Sequence, residues 1–262
     1  MSHPVQRVWV LGHGFLGRVL AVRCRAAGAR VLTIDASAAA GADLCADAAL
    51  PETLATAVRL SGGEPSVVYC CLATHGGSVE DYRHCYLSTV QNLAGAGYAG
   101  RCVFCSSSSL YAGVSERSSV LAAAEGVVLA AGGCVARLVP LYGHGRCELL
   151  RRHLAGEPCL PGAPERVLNY VHVEDAAAAL QLLAEKASCE IFAVCSQIFT
   201  KAEAYALLER ITGVPASSQS SPPGRRSATS TPVSAEKLCA LGWNPQHTFA
   251  DFVTGELTSP TA

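Results

Sequence analysis

The sequence predicts an α/β protein built on a doubly wound parallel sheet. Short, continuous apolar runs alternate with segments of helical periodicity, which is typical of parallel strands that are buried on both faces. The first run, Val8–Leu11, meets the glycine-rich turn GHGFLG, and a helix-like segment then leads to a second apolar run that ends in Asp35. With 262 residues, the chain is long enough to bury the core of such a sheet.

The other elements continue this alternation along the chain. Apolar runs predict strands at Val8–Leu11, Arg30–Ile34, Ser66–Leu72, Arg101–Cys105, Cys134–Val139 and Glu190–Val194. Helical spacing predicts helices at Leu16–Ala27, Pro51–Leu60, Tyr82–Ala96, Ser118–Ala131, Asp175–Lys186 and Lys201–Thr212. The stretch 215–232, rich in Ser, Pro and Gly, predicts a loop. We therefore expect one Rossmann-type domain over residues 1–262, in which about 145–170 and 200–257 form a small C-terminal substrate-binding lobe.

The glycine turn has the pattern and the context of a dinucleotide-binding fingerprint. Gly12 permits the tight turn, Gly14 lets the backbone approach a pyrophosphate, and Gly17 lets the helix pack closely on the sheet. The N-terminus of that helix offers unpaired N–H groups to phosphates. Asp35 lies 23 positions after Gly12, which is near the spacing at which an acid binds ribose hydroxyls. The alternative is an unliganded glycine turn in an ordinary α/β domain.

The residues around Asp35 also bear on the choice of cofactor. A carboxylate at this position accepts hydrogen bonds from ribose hydroxyls and repels a 2′-phosphate. Ala36 and Ser37 provide no arginine to hold such a phosphate. The sequence therefore predicts NAD, with NADP the less favoured alternative because Arg18 follows the glycine turn.

Composition argues against several other classes of protein. The net charge is −1 and no basic stripe is present, which argues against nucleic-acid binding. No run of 18 apolar residues indicates a membrane span, and no signal-peptide pattern opens the chain, so we expect a cytoplasmic protein. The 13 cysteines are expected to be reduced thiols. Strand alternation turns Cys102 and Cys105 to opposite faces, so no metal site is expected.

Several segments together carry a resemblance to a known family. They are VWVLGHGFLG, ADLCADAALPETLATAV, SVVYCCLAT, CVFCSSSSLYAG, VARLVPLYGHGR, NYVHVEDAAAAL and LGWNP. They resemble the extended short-chain dehydrogenase/reductase family, of the NAD-dependent epimerase/dehydratase type. The resemblance implies cofactor contacts from Gly12, Gly14, Phe15, Leu16, Gly17, Asp35, Ala36, Asp43, Leu44, Leu72, Ala73 and Ser106. Among these, Asp43 and Leu44 would flank the adenine, and Leu72 and Ala73 would lie against the ribose.

The chain departs from that family at the residues that carry its usual chemistry. Family members have a Tyr-x-x-x-Lys pair one helix after the serine loop, whereas no lysine here lies four residues after a tyrosine. Arg117 and Leu121 stand near those two positions, and Glu125 fits the glutamate that often follows them. The lysine normally stabilises the phenolate and lowers the pKa of the tyrosine. Alcohol oxidation by the usual route is therefore not expected.

Other side chains are candidates for the chemistry. Ser107 occupies the serine position of the family, with turn capping as the alternative role. Tyr111 follows the serine loop, and His75 follows the fourth predicted strand, where a histidine suits proton donation. Substrate contacts are expected from Thr74, Ser108, Tyr142, Arg146, Arg166 and Asn169. His172 and Asp175 are interpreted as the start of a helix.

Two functional hypotheses follow from these residues. The first is an NAD(P)-dependent oxidoreductase or epimerase that acts on a small polar metabolite by hydride transfer, without the usual dyad. The second is a non-catalytic dinucleotide-binding sensor or partner protein on the same scaffold. The resemblance also implies a homodimer formed by the helices at 82–96 and 118–131, although the second is glycine-rich.

Overall fold

The structure, a computed structural model, describes residues 6–74, 77–219 and 231–258. The chain divides into two units, the first made of residues 1–137 and 177–192 and the second of residues 138–176 and 193–262. His75 and the stretch 220–230 lie outside the described residues. The substrate-binding role of the C-terminal lobe stays a prediction.

A seven-stranded sheet carries the first unit. The strands of the chain are β1 Arg7–Leu11, β2 Arg30–Asp35, β3 Leu44–Cys45, β4 Val67–Cys70, β5 Cys102–Ser107, β6 Cys134–Leu138, β7 Leu141–Tyr142, β8 Val167–His172, β9 Ile191–Val194 and β10 Gln197–Thr200. The order in the large sheet is β3-β2-β1-β4-β5-β6-β9, and β2–β3, β1–β2, β1–β4 and β4–β5 pair in parallel. The predicted doubly wound α/β fold and its six predicted strands are confirmed. The strand order reverses between β1 and β4, which is where such sheets bind ligands.

The helices follow the predicted positions closely. They are α1 Phe15–Ala26, α2 Pro51–Ser61, α3 Val79–Tyr82, α4 Thr89–Gly95, α5 Glu116–Ala130, α6 Glu148–Leu154, α7 Val173–Lys186, α8 Lys201–Thr212, α9 Glu236–Ala240 and α10 Phe249–Thr258. The helix predicted at 82–96 begins earlier, because Ser78 and Asp81 form a capping box. Between α3 and α4 the chain is π-helical over Arg83–Ser88, a form that is rare and often found at functional sites.

Large apolar side chains fill the core of the first unit. Trp9, Leu11, Ile34 and Phe104 are fully buried, and the Trp9 ring meets Tyr98 edge to face at 5.3 Å between centroids. Trp9 also donates to Ser61 Oγ at 3.2 Å, so its polar atom is satisfied. This packing fixes the strands, and the strands in turn fix the loops at their carboxyl ends.

The second unit contains a three-stranded sheet with the order β10-β8-β7. β10 is antiparallel to β8, and β7 is parallel to it. The sequence analysis did not predict this sheet, because the polar residues within VLNYVH obscure the strand pattern of β8. Tyr142, Leu149, Leu208 and Phe249 are buried at the centre of this unit. In the part of the chain that the structure describes, no helix has the length and apolar character needed to cross a membrane.

Candidate dinucleotide site and neighbouring residues

The glycine turn between β1 and α1 is closely packed on one side and open on the other. Gly12 has a φ of +92°, and a Cβ there would lie 2.6 Å from the carbonyl oxygen of Cys71. A Cβ on Gly17 would collide with the carbonyl oxygen of Gly12. A Cβ on Gly14 would meet nothing within 4 Å. The turn therefore has the tight bend and the close helix–strand contact expected of the fingerprint, with open space beside Gly14 where a pyrophosphate would approach.

Helix α1 begins beside this open space, at the residue after Gly14. Gly14 caps the helix without a side-chain hydrogen bond, and its first turn holds no acidic residue. Phe15 is half-buried and Leu16 is buried, so both side chains contribute to packing beside the turn. The N-terminus of a helix attracts anions through the positive end of its dipole, and α1 places that end beside the open side of the turn.

Asp35, at the end of β2, braces the glycine turn. Its Oδ2 accepts a hydrogen bond from the backbone N–H of His13 at 2.7 Å, and its Oδ1 accepts one from that of Ser37 at 2.8 Å. Arg18 lies beside this loop, because its guanidinium donates to the carbonyl oxygens of His13 and Ala40 at 3.1 and 3.0 Å. Ala36 is exposed. The Asp35 carboxylate and the Arg18 guanidinium therefore both lie beside the turn, where a dinucleotide-binding fingerprint recognises the ribose 2′-hydroxyl.

The Asp43 carboxylate is engaged within the protein. Its Oδ2 accepts hydrogen bonds from the N–H and hydroxyl of Thr33, at 2.9 and 2.8 Å, and from Arg25 at 2.8 Å. Burial alone would raise the pKa of Asp43, but the Thr33 bonds and the Arg25 guanidinium hold it below its usual range. Leu44 lies in β3 and pairs with β2. These contacts give Asp43 a structural role, and its expected contact with adenine stays a prediction.

Asp47, which the sequence analysis did not single out, is the first acidic residue after β3. Its Oδ1 accepts the N–H of Ala49 at 2.9 Å, and its Oδ2 lies 2.6 Å from His84 Nε2. Burial, with smaller contributions from the Asp47 and Asp35 carboxylates, raises the pKa of the Cys85 thiol to about 11. Asp47 follows Ala46, whose N–H donates to the carbonyl oxygen of Asp35 at 3.0 Å, so Asp47 lies near Asp35. The signal that could have identified Asp47 is an acidic residue after a strand. Because β3 is only two residues long, the sequence does not show where that strand ends.

The ends of β4 and β5 contribute the next residues. Leu72 and Thr74 are half-buried and Ala73 is exposed just beyond β4. The hydroxyl of Ser106, at the end of β5, is buried without a hydrogen-bond partner among the described residues. A buried hydroxyl without a partner is costly, so it marks a place where a ligand or water completes the bonding.

The serines after Ser106 have local partners. Ser107 Oγ accepts the N–H of Ser109 at 3.1 Å, which is the turn-capping contact that the sequence left as its alternative. Ser108 is buried. The catalytic role of Ser107 and the substrate contact of Ser108 stay predictions.

A buried ion pair packs against the ring of Tyr111. Glu125, in α5, binds Arg137 through two hydrogen bonds of 2.9 and 2.7 Å. The Arg137 guanidinium carbon lies 5.0 Å from the centre of the Tyr111 ring, and Tyr111 is 42% exposed. Hydrogen bonds to Glu125 raise the pKa of Arg137, so its charge persists. The Tyr111 ring is thereby held at the end of the serine loop.

Arg117 and Leu121, which the sequence resemblance placed near the usual catalytic pair, have side chains unsuited to proton transfer. Leu121 is 4% exposed and packs in the core of the first unit. The Arg117 guanidinium lies 5.3 Å from the centre of the Tyr82 ring at the surface. Neither side chain transfers a proton at neutral pH.

The residues of the second unit that are predicted to contact substrate differ in exposure and in the hydrogen bonds that their side chains make within the protein. Asn169 donates to the carbonyl oxygen of Thr231 at 3.1 Å and accepts the N–H of Val233 at 2.9 Å, so its amide holds the chain at 231–233. Arg166 donates to the carbonyl oxygen of Pro161 at 2.5 Å. Arg146 is exposed in a turn closed by backbone hydrogen bonds to Gly143.

Tyr142 lies at the centre of an aromatic cluster in the second unit. It is fully buried, and its hydroxyl has no hydrogen-bond partner among the described residues. Its ring lies 5.2 Å from His172, 5.3 Å from Phe249 and 5.1 Å from Phe252. Burial raises the pKa of Tyr142, so the phenol stays neutral. These contacts describe a packing residue, and its contact with substrate stays a prediction.

The start of α7 uses Asp175 as a local brace. Asp175 accepts hydrogen bonds from the N–H groups of Gln246 and His247 at 2.8 and 3.1 Å, and lies 3.0 Å from His247 Nδ1. The rings of His172 and His247 stack with 4.1 Å between centroids. The predicted helix start is confirmed, since α7 begins at Val173.

No known family profile matches the sequence, and no curated protein matches it. Solved structures define the class of fold, which is that of the Rossmann-type epimerases and dehydratases. One is UDP-glucose 4-epimerase from Thermotoga maritima with UDP-glucose, at 20% identity and a TM-score of 0.79 over 95% of this chain and 96% of that one. Another is the Thermus thermophilus UDP-glucose 4-epimerase complex with NAD, at 22% identity and a TM-score of 0.77 over 95% and 97%. WbmG from Bordetella bronchiseptica, in complex with NAD and UDP, has 17% identity and a TM-score of 0.78 over 97% and 93%.

Proposed function

We propose that the first unit binds NAD at the carboxyl ends of its strands. The arrangement of Gly12, Gly14, Gly17 and Asp35 carries this proposal, because it combines a tight turn that is open beside Gly14 with a carboxylate at the end of the next strand that contacts the same turn. The partnerless hydroxyl of Ser106 supports it independently. The complexes of fold neighbours with NAD support it by analogy.

The proposed contacts extend the glycine turn along the sheet edge. They are Gly12, Gly14, Phe15, Leu16, Gly17, Asp35, Ala36, Asp43, Leu44, Leu72, Ala73 and Ser106, as expected from the sequence. We add Asp47, since it follows β3 and its neighbour Ala46 donates an N–H to the carbonyl oxygen of Asp35. His84, which contacts the Asp47 carboxylate, would have to share or release it when adenine binds.

We infer NAD rather than NADP from the position of the Asp35 charge. Both Asp35 oxygens already hold backbone N–H groups, so the carboxylate cannot turn away from a 2′-phosphate without breaking the turn. Arg18 is tied to two carbonyl oxygens and offers less to a phosphate than an unengaged arginine would. Repulsion by Asp35 therefore dominates.

The function proposed for the whole protein is that of an NAD-dependent oxidoreductase or epimerase-like enzyme. NAD, when bound, supplies a hydride acceptor. Ser107, Tyr111 and His75 are the proposed groups for orienting a substrate oxygen and moving its proton, and Thr74, Ser108, Tyr142, Arg146, Arg166 and Asn169 are the proposed substrate contacts. A small polar metabolite is the proposed substrate, and the UDP-glucose in a neighbouring structure makes a sugar nucleotide the first compound to test.

Titration of protein fluorescence with NADH and NADPH tests the cofactor proposal. We expect tighter binding of NADH, and Asp35→Ala is expected to raise its Kd about tenfold or more, the value of a hydrogen bond to a charged group. Glu64→Ala is the matched control, because Glu64 is an exposed carboxylate that pairs with Arg101. Equal affinities for the two cofactors, or an unchanged Kd in Asp35→Ala, would contradict the proposal.

A second candidate function is non-catalytic dinucleotide binding. The burial of Leu121, which the sequence resemblance places near the expected lysine position, favours it. Incubating the NAD-loaded protein with UDP-glucose and following the sugar by NMR separates the two candidates. Conversion that Tyr111→Phe or Ser107→Ala slows would support the enzyme, and NADH binding without any turnover of the sugar nucleotides tested would support the binder.

A further inference from the structure

Two pairs of cysteine thiols meet across the neighbouring strands β4 and β5. Cys71 Sγ lies 3.7 Å from Cys105 Sγ, and Cys70 Sγ lies 3.5 Å from Cys102 Sγ. The two pairs occupy opposite faces of the sheet, because Cys70 and Cys71 are adjacent in the chain and side chains alternate along a strand. All four are free thiols.

The strand register separates the two pairs. β4 and β5 pair Val68 with Cys102 and Cys70 with Phe104, so Cys70 and Cys102 are two residues out of register. Their Cα atoms are then about 8 Å apart, beyond the limit of about 7 Å for a disulfide without backbone movement. Continuing the register by one residue places Cys71 opposite Cys105, at the strand spacing of about 4.8 Å, which lies within the range of disulfides.

Exposure also distinguishes the pairs. Cys71 is half-buried just beyond the carboxyl end of β4, whereas Cys105 is buried within β5. Contact with Cys71 and burial hold the pKa of the Cys105 thiol well above its usual value. Cys70 and Cys102 are 0% and 2% exposed. We therefore expect the oxidant to react with Cys71, and the buried Cys105 thiol to react with the oxidised Cys71.

We propose that Cys71 and Cys105 form an oxidation site that closes to a disulfide with hydrogen peroxide as the oxidant. The Cys71 sulfur attacks one peroxide oxygen, the O–O bond breaks, and a sulfenic acid and one water form. The Cys105 sulfur then attacks the Cys71 sulfur and displaces the hydroxyl group as a second water. The two sulfurs together lose two electrons to the peroxide, and both thiol protons end in water. A dithiol reductant reverses the reaction by thiol–disulfide exchange.

This site lies against the glycine turn. The carbonyl oxygen of Cys71 is the atom that a Cβ on Gly12 would meet, and Cys105 immediately precedes Ser106. A bond between Cys71 and Cys105 would therefore join two chain segments beside the turn. The proposal stands on the thiols and their register, and it does not depend on which ligand the turn binds.

Peptide mapping of the intact protein tests the proposal. Trypsin releases 60–83, which holds Cys70 and Cys71, and 102–117, which holds Cys102 and Cys105. After brief peroxide treatment and alkylation of the remaining thiols, we expect a linked pair of these peptides that is lighter by two hydrogen atoms than the sum of the two peptides, each alkylated at one cysteine. Fragmentation between Cys70 and Cys71 locates the bond, and dithiothreitol should remove it.

Variants identify the pair independently. The linked peptides should persist in Cys70→Ala and Cys102→Ala and be lost in Cys71→Ala and Cys105→Ala. Linkage that survives in Cys71→Ala, or the absence of linkage in the wild type at peroxide levels that oxidise Cys71 further, would overturn the proposal. Fragmentation of the wild-type peptides decides the question even if a variant fails to fold.

Discussion

Acidification should weaken the second unit through His172. This side chain is 9% exposed, and its Nδ1 accepts the N–H of Glu174 at 3.3 Å. Burial, with a smaller contribution from the stacked His247, lowers the pKa of His172 to about 4, although the charges of Asp175 and Glu256 act in the opposite direction. The folded protein therefore resists protonation at a site that the unfolded chain protonates readily.

The sign and size of the effect follow from that difference. Between the ordinary pKa of 6.5 and the folded value of about 4, the unfolded state binds more protons than the folded one. The free energy of unfolding is thus unaffected by His172 above this window and falls as the pH falls through it. Since each pKa unit is worth about 1.4 kcal/mol, the loss reaches about 3 kcal/mol.

Urea unfolding from about pH 7 to about pH 4 measures this loss, with His172→Phe as the test variant. A neutral ring of similar size keeps the contacts with Tyr142 and Phe252 and removes the titrating group. We expect the variant to lose about 3 kcal/mol less than the wild type on acidification. His144→Gln is the control, because the His144 side chain is 89% exposed. Equal losses in His172→Phe and the wild type would refute the reasoning.

Two further predictions concern the first unit. Gly17→Ala should destabilise it by about 3 kcal/mol or leave it insoluble, because the added methyl collides with backbone, whereas Gly14→Ala should leave the free energy of unfolding in urea within about 0.5 kcal/mol of the wild type, since its methyl meets open space. Glu125→Ala should cost about 3 kcal/mol in thermal or urea unfolding, because it leaves Arg137 without its buried partner, whereas Glu64→Ala, at an exposed ion pair, should cost less than about 1 kcal/mol. Similar losses of unfolding free energy in Gly17→Ala and Gly14→Ala, or in Glu125→Ala and Glu64→Ala, would contradict these assignments.

The sequence predicted the large sheet because its strands are continuous apolar runs. Val8–Leu11 and its partners read as buried strands from composition alone, and the glycine turn fixed the first crossover. The small sheet was missed, because β8 mixes buried Leu168 with polar Asn169 and because β7 is only two residues long. Short strands are defined by their partners, and a single sequence does not display those partners.

The candidate site shows the same limit at the level of side chains. Asp35 was identified because its distance from Gly12 along the chain carries the information. The Asp43 side chain binds Thr33 and Arg25, contacts that depend on where a short strand ends. The Cys71–Cys105 contact depends on the register between two strands, and the spacing within one strand showed only that Cys102 and Cys105 face apart.

The double task of Asp35 bears on how readily this protein can evolve. Its two oxygens hold the N–H groups of His13 and Ser37, so the residue supports the backbone as well as any ligand. Asp35→Ala leaves both amides without their acceptor, and Asp35→Asn keeps an acceptor oxygen for only one of them. A mutation that changes the ligand preference at this position therefore also weakens the turn, so we expect such changes to be accompanied by a compensating substitution.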